Sequence, residues 1–337
     1  MRIVVVGATG NIATSLLPML SADPSVDSIV GVARRPPDDL TLAKLSWHAA
    51  DIVHDDLDPV LAGADACVHL AWEVQPSHDE FALARTNVHG TARLLEAVNR
   101  ANVPAFVYAS SIGTYARGPK NRAVDESWPA TGIPDSSYAR QKAAVETMLD
   151  VVESARSDIR IVRMRPSLIC KRGQAAEATR FFLGRLIPRA LFRPDRVRMV
   201  PDVAGLRTQV IHTDDVADAF HRAIRQPVRG ALNVAAEPVI DARTIADVLD
   251  ARAVPVPAAV ARAAVELSWR LHLQPTDPGW LAMGLATPIM STQRARDELG
   301  WAPRMTSIEA VTQLLEGIAT DSGEETPRLE PSRREGI

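Results

Sequence analysis

The stretch GATGNIA, Gly7 to Ala13, follows a short apolar run, RIVVV, from Arg2 to Val6, and how it is read decides the fold. An uninterrupted apolar run of this length predicts a strand buried on both faces of a parallel sheet. Gly7 permits a tight turn out of that strand. Gly10 lets a phosphate approach the backbone at the start of a helix, where free N–H groups and the helix dipole favour an anion. Ala13 stands where a third glycine would allow the closest packing of helix on strand, and its single methyl asks for only a small displacement. The spacing 7, 10, 13 is not that of the common GxGxxG loop. Alone, the stretch fits either a dinucleotide-binding loop or an ordinary strand-to-helix turn.

Working outward, strand-like and helix-like segments alternate. Residues 28–33, 45–51, 66–72, 105–111 and 159–165 read as strands, and 11–20, 78–102 and 136–156 as helices. Strands separated by helices predict right-handed crossovers and an α/β fold, a Rossmann doubly wound parallel sheet. The rhythm changes after Pro166. A basic, partly helical stretch (171–196) is followed by a return to strand and helix (208–226) and a short strand (231–235), then by Pro-rich and helical pieces. The expected division is a dinucleotide-binding domain of 1–166 plus 209–236, and a smaller, mostly helical C-terminal substrate lobe of 167–208 plus 237–320. The polar, aperiodic tail 321–337 is expected to be disordered. The helix within VPVPAAVARAAVELSWRLHL (254–273) has one apolar face, read as packing inside the lobe, with a partner or a membrane surface as the other reading.

Composition narrows the class. The chain has 337 residues, 46% hydrophobic and 23% charged, with 38 Lys plus Arg against 41 Asp plus Glu and a net charge of −3. These are ordinary globular values, with no basic and aromatic interleaving to suggest nucleic acid. Cys67 and Cys170 make neither a disulfide framework nor a zinc cluster. No apolar segment suits a leader or a membrane span, so the chain is read as soluble and cytoplasmic. HTDD (His212 to Asp215) is read as a helix start capped by Asp214 or Asp215 and not as a metal site; no metal is expected.

Two further clusters carry chemistry. Strand two ends GVARR, with Ala33, Arg34 and Arg35 where an acid would bind a ribose 2′-hydroxyl. Arginine suits a 2′-phosphate, which favours NADP over NAD; solvated surface charges are the alternative. SSYARQK places Tyr138 and Lys142 four residues apart, on one face of a helix, and Ser111 lies just past the fifth strand. A nearby ammonium would stabilise a phenolate and bring it toward working pH. A serine hydroxyl would hold the substrate oxygen beside the phenol, so the three would move a proton while a nicotinamide takes or gives hydride.

Together with TNVHGTARLLEA, YASSIGTY, MRPSLI, VIHTDDVADAF and ELGWAP, in this order, the chain resembles the extended branch of the short-chain dehydrogenase/reductase superfamily, the NAD-dependent epimerase/dehydratase-like proteins, from Arg2 to about Gly317. The resemblance implies roles at matching positions. Gly7, Gly10, Asn11 and Ile12 would line the pyrophosphate loop, with Arg34 at the 2′ position. Asp51 and Ile52 would sit on the adenine, and Leu70, Ala71 and Trp72 beneath ribose and nicotinamide. Asn87 would brace the site, and Pro166, Ser167 and Leu168 would border the nicotinamide. Ser111, Tyr138 and Lys142 would be catalytic, with Lys142 also holding the nicotinamide ribose. Trp72, Thr114, Leu168 and Arg207 are substrate-pocket candidates. Relatives also pair their helices into a four-helix homodimer interface.

Departures shape the expected activity. Ile112 and Gly113 follow Ser111 where dehydratases of this family commonly carry an Asp-Glu pair. Arg207 is one residue out of step with the arginine that holds the diphosphate in sugar-nucleotide enzymes. The leading expectation is therefore an NADP(H)-dependent carbonyl reductase or alcohol dehydrogenase on a small organic substrate. The alternatives are an NAD-dependent sugar-nucleotide epimerase and a protein that senses NADP without turnover.

Overall fold

The structure is a computed structural model, and it describes residues 1–75, 77–183 and 196–331. Seven parallel strands form one sheet: β1 (Arg2–Val6), β2 (Ser28–Ala33), β3 (Leu45–Ala49), β4 (Ala66–His69), β5 (Ala105–Ala109), β6 (Arg160–Pro166) and β7 (Gly230–Val234). Their spatial order is β7-β6-β5-β4-β1-β2-β3. The chain builds outward from β1 to β3, then crosses back to lay β4 on the other flank of β1, with Val6 opposite Val32 on one side and His69 on the other. The order reverses between β1 and β4, and a crevice opens beyond their C-terminal ends.

Side-chain alternation along β1 feeds two cores. Ile3 and Val5 pack with Leu16, Leu20 and Phe220 of the helices Asn11–Ala22 and Thr213–Arg225. Val4 and Val6 pack with Leu94, Val98, Val145 and Leu149 of the helices Thr91–Arg100 and Ser137–Ala155. A strand that is apolar throughout is thereby buried on both faces, as its sequence predicts.

The long helix expected over 78–102 is an α-helical turn (Glu80–Ala84), a π-helical turn (Arg85–Gly90) and the helix Thr91–Arg100. The extra residue in that turn belongs to the segment that carries Asn87 into the interior. Gly90 lets the turn approach the loop after β3, because a Cβ there would lie 2.8 Å from the Ile52 side chain. Short parallel pairs, Leu168–Cys170 with Val210–His212 and Met199–Val203 with Arg252–Val256, lead from the sheet into the C-terminal part.

Three local expectations are corrected. The helix Thr213–Arg225 is capped by His212, whose Nδ1 accepts from the Asp214 N–H at 3.2 Å. Asp215 instead accepts from the N–H groups of Arg304 and Met305, at 2.9 and 3.1 Å. The helix Ala258–Arg270 has no fully buried residue: Trp269 stacks on His78 and donates to Ser77, while Val260 and Leu267 are exposed, so its apolar face is only partly covered. The tail is the third case. Residues 321–331 are folded back on the protein, with Thr326 and Leu329 buried; polar composition misled because hydrogen bonds, not an apolar stripe, hold the segment. The part of the tail beyond 331 lies outside the described residues.

A buried ionic network fixes the far end of β5. Arg165 donates to both Glu146 carboxylate oxygens, at 2.9 and 2.5 Å, and to the Tyr115 hydroxyl at 2.9 Å. Tyr115 donates to Asn233 at 2.6 Å, and Ser110 donates to Glu146 at 2.5 Å. Four segments of the chain meet there, beside Ser111. Breaking one side of a buried pair strands the other charge. Arg165→Leu is expected to lower unfolding free energy by about 3–5 kcal/mol, and Arg165→Leu with Glu146→Leu by less, as read by urea denaturation.

Candidate active site

Beyond β1 and β4 lies a cavity of about 690 Å³. Its floor begins where β1 ends. Gly7 has φ +85°, and a Cβ there would sit 2.4 Å from the Ala71 nitrogen, so only glycine lets these backbones meet. Gly10 caps the helix Asn11–Ala22 without a side-chain bond. Among the described residues, the N–H groups of Asn11, Ile12 and Ala13 have no backbone acceptor. Gly7, Gly10, Asn11 and Ile12 all line the cavity, which gives it the open helix N-terminus an anion needs. Ala13 is fully buried against the sheet, as its position in the loop requires.

Other expected residues converge on the same space. Asp51 and Ile52 line one end, Leu70, Ala71 and Trp72 the floor, and Pro166, Ser167 and Leu168 the far wall. The buried Ser167 Oγ and Gln174 Oε1 line it too and lack a protein partner, a pairing a ligand would complete. An open helix N-terminus, a close-approach glycine and these unpaired atoms fit an extended dinucleotide. Asn87 does not line the cavity. It is buried behind the wall, where Oδ1 accepts from the Glu73 N–H at 2.7 Å and Nδ2 donates to the Glu73 carbonyl and to Gln141, both at 2.8 Å. It therefore fixes the loop after β4 and acts on the site only through that loop.

Arg34 lines the cavity, but its guanidinium is paired with the Glu73 carboxylate. Arg35 also lines it and has no partner among the described residues. An acid therefore does approach the end of β2, carried by a loop 39 residues further along the chain.

Ser111, Tyr138 and Lys142 come together at the centre of the cavity. Ser111 opens the short 3-10 turn Ile112–Thr114, and its Oγ accepts from the Gly113 N–H at 3.0 Å. Tyr138 and Lys142 project from the first turns of the helix Ser137–Ala155, whose start is capped by Ser136. The Lys142 ammonium donates to the Ala109 carbonyl at 2.7 Å and to the Tyr108 hydroxyl at 3.3 Å. It also lies 3.5 Å from the centre of the Trp72 ring and 5.8 Å from that of Tyr138.

Burial dominates the electrostatics. It pushes Lys142 well below the usual lysine value, against the opposing pull of Glu146. It pushes the Tyr138 phenol up to about 12, with only the hydrogen bond to Ser111 opposing. The lysine thus does not bring the phenol toward neutrality here; desolvation disfavours both charged forms and outweighs their proximity.

The substrate candidates divide. Trp72 and Leu168 line the cavity. Thr114 is fully buried and outside it, and Arg207 is exposed and outside it. Leu206 and Thr208 line the cavity, while Arg207, between the turn at 204–205 and the bridge at Thr208, is exposed. Sequence reasoning missed Phe181, Phe182, Trp280 and Met283, which make this end apolar, and Glu177 and Arg328 near the glycine loop. No motif marks them. Among the described residues there is no cluster of three metal-ligating side chains, and no helix is long and apolar enough to cross a membrane.

Comparison with known proteins agrees with this geometry. An uncharacterised protein of Mycobacterium tuberculosis is 23% identical over 340 residues, covering 98% of this chain and 86% of its own. The UDP-glucose 4-epimerase of Mycolicibacterium smegmatis is 30% identical over 244 residues, covering 66% of this chain and 73% of its own. The solved structure of MoeE5 in complex with UDP-glucose and NAD superposes with a TM-score of 0.70 at 21% identity, over 94% of this chain and 98% of that one, a likeness of fold. The profile of the NAD dependent epimerase/dehydratase family matches residues 3–235, and the chain belongs to that family.

Proposed function

We propose that the chain is a nicotinamide dinucleotide-dependent enzyme that oxidises and reduces a secondary alcohol carbon, and that its substrate is a sugar nucleotide carried through transient oxidation. The observation that carries the chemistry is the meeting of Ser111, Tyr138 and Lys142 above the glycine loop in one cavity. Kinship carries the substrate class: the sugar-nucleotide reading ranks above the small-carbonyl reductase that the sequence favoured, because named relatives act on such substrates. The bound nicotinamide would take and return the hydride.

Tyr138 would take the hydroxyl proton of the substrate, and Ser111 would hold the reacting oxygen beside it. Lys142 would anchor the ribose and, when charged, favour the phenolate. Gly7, Gly10, Asn11 and Ile12 would bind the pyrophosphate, Asp51 and Ile52 the adenine, and Ser167 the nicotinamide side. NAD is the preferred dinucleotide in this reading, because Glu73 neutralises Arg34 and would repel a 2′-phosphate. A homodimer through the helices Thr91–Arg100 and Ser137–Ala155 is part of the proposal, supported by the exposed Val151 on the second helix.

One observation favours a second reading, the carbonyl reductase. The substrate end is lined by Phe181, Phe182, Trp280 and Met283; Arg207 is turned away from it, and Arg180, which does line the cavity, is held by the Glu330 and Arg328 carbonyls.

Incubation with UDP- and dTDP-hexoses plus NAD, followed by proton NMR, is expected to give the C4 epimer. No turnover there, together with NADPH oxidation on a ketone panel, would transfer the assignment to the reductase. Tyr138→Phe is expected to lower kcat by about 10²–10⁴-fold with KM little changed. A phenol held up to about 12 is protonated at neutrality and must lose its proton before it can act as a base. Alcohol oxidation should therefore speed up as pH rises from about 7 to about 10, while carbonyl reduction stays flat, in initial-rate profiles. Glu73→Gln frees Arg34, and by calorimetry should raise NADPH affinity about tenfold while leaving NADH affinity nearly unchanged.

A further inference from the structure

We infer that residues 322–331 form a strap that retains the dinucleotide in its cleft, with Arg328 as a further cofactor-holding residue; this rests on the reading that the cleft binds a dinucleotide. The strap leaves the helix Ser307–Thr320 through Asp321, a left-handed cap, and runs back over the mouth of the crevice. Each step of its path is tied to a different wall. The Ser322 carbonyl accepts from the Ala176 N–H at 3.1 Å. Glu324 pairs at 2.9 Å with Lys171, which itself donates to Thr14 in the first helix at 2.6 Å. Thr326 Oγ1 donates to the Thr9 carbonyl, inside the glycine loop, at 3.0 Å. Arg328 donates to the Trp72 carbonyl at 2.9 Å and to Glu177 at 2.5 Å. Arg180 returns the contact by donating to the Glu330 carbonyl at 3.0 Å. Leu329 is 0% exposed and anchors the segment from within.

Two of these ties matter for a ligand. Thr9 belongs to the loop after β1 and Trp72 to the loop after β4, so the strap bridges the crevice whose floor is the pyrophosphate loop. Pro327 and Arg328 line the same cavity as Gly10, Asn11 and Ile12. The second terminal nitrogen of Arg328, Nη1, has no partner among the described residues, which leaves N–H groups for an anion in the cavity. Arg328 also neutralises Glu177, a buried carboxylate that would otherwise face the phosphates unpaired.

A ligand lying on the glycine loop can leave only if these ties open, so the strap slows release. That suits an enzyme that returns the hydride to its own intermediate and keeps its cofactor between turnovers. A reductase has to exchange cofactor at every turnover.

The test uses the full chain, Arg328→Ala, Thr326→Val and a chain ending at Asp321. NADH release is followed by stopped-flow fluorescence, and trypsin cleavage after Arg328 by mass spectrometry with and without NAD. The expected result is release accelerated about tenfold in Arg328→Ala and more in the shortened chain, with NAD protecting the wild-type bond. The two point variants keep the Leu329 anchor and give the answer even if the shortened chain does not fold. Release rates equal to wild type with undiminished affinity would overturn the strap while leaving the cofactor reading intact. Tighter binding by the shortened chain, or binding only by it, would make the segment a plug and overturn retention. No dinucleotide binding by any form, with circular dichroism showing the chains folded, would overturn the cofactor reading and the strap with it.

Discussion

The meeting of Gly7 with Ala71 is the constraint on which the rest of the site depends. β1 and β4 are adjacent in the sheet yet separated in the chain by two strands and their crossovers. Their exits must share one narrow crevice, and the Gly7 turn fits there only because no Cβ intervenes. That close approach turns the start of the first helix, with its unpaired N–H groups, toward the floor formed by Leu70, Ala71 and Trp72. A side chain at Gly7 would push the two loops apart, and the cavity would lose both its anion end and its floor at once.

The second constraint is burial around Lys142. An amino group this enclosed needs partners, and the structure supplies a carbonyl, a hydroxyl and the face of Trp72. All three come from the ends of β4 and β5, so the lysine also ties the helix Ser137–Ala155 to the sheet edge. The Glu146–Arg165 pair, one turn further along that helix, holds the same edge from the other side. Lysine and tyrosine are thus presented by a rigid helix whose position is fixed by buried polar contacts at successive turns, which is the preorganisation proton transfer requires.

Much of this was legible because it is local. The apolar strands, the glycine loop and the Tyr138–Lys142 spacing each reside in fewer than about ten consecutive residues, where periodicity is a direct signal. What escaped reading depends on residues far apart in the chain. The Arg34–Glu73 pair joins two loops that meet only at the crevice. Arg207 follows a turn, and nothing local in the sequence marks which way its side chain faces. The helix Ala258–Arg270 has the apolar stripe of a packed helix and yet is only partly covered, with Trp269 on His78 and Leu267 exposed. The tail has the composition of a disordered segment, but its order comes from hydrogen bonds to distant carbonyls that composition does not encode.

The two ends of the cavity make different demands. The proposed dinucleotide end is polar, and its lining comes from loops of the sheet and from the strap; the proposed substrate end is aromatic, with Phe181, Phe182 and Trp280 from the C-terminal part of the chain. An apolar surround strengthens electrostatic interactions inside it, because water does not screen them. Such a lining does not by itself demand an apolar substrate. A pyranose ring has an apolar face of C–H groups, and Trp280, 4.8 Å from Tyr138 between ring centres, offers a surface on which such a face would pack. Under that reading the aromatic end would steer the ring carbon to the phenol and exclude water from the ketone formed there, while the strap keeps the reduced cofactor beside it. The aromatic lining and the strap then serve a single demand: an oxidised intermediate and its hydride held together until the hydride is returned.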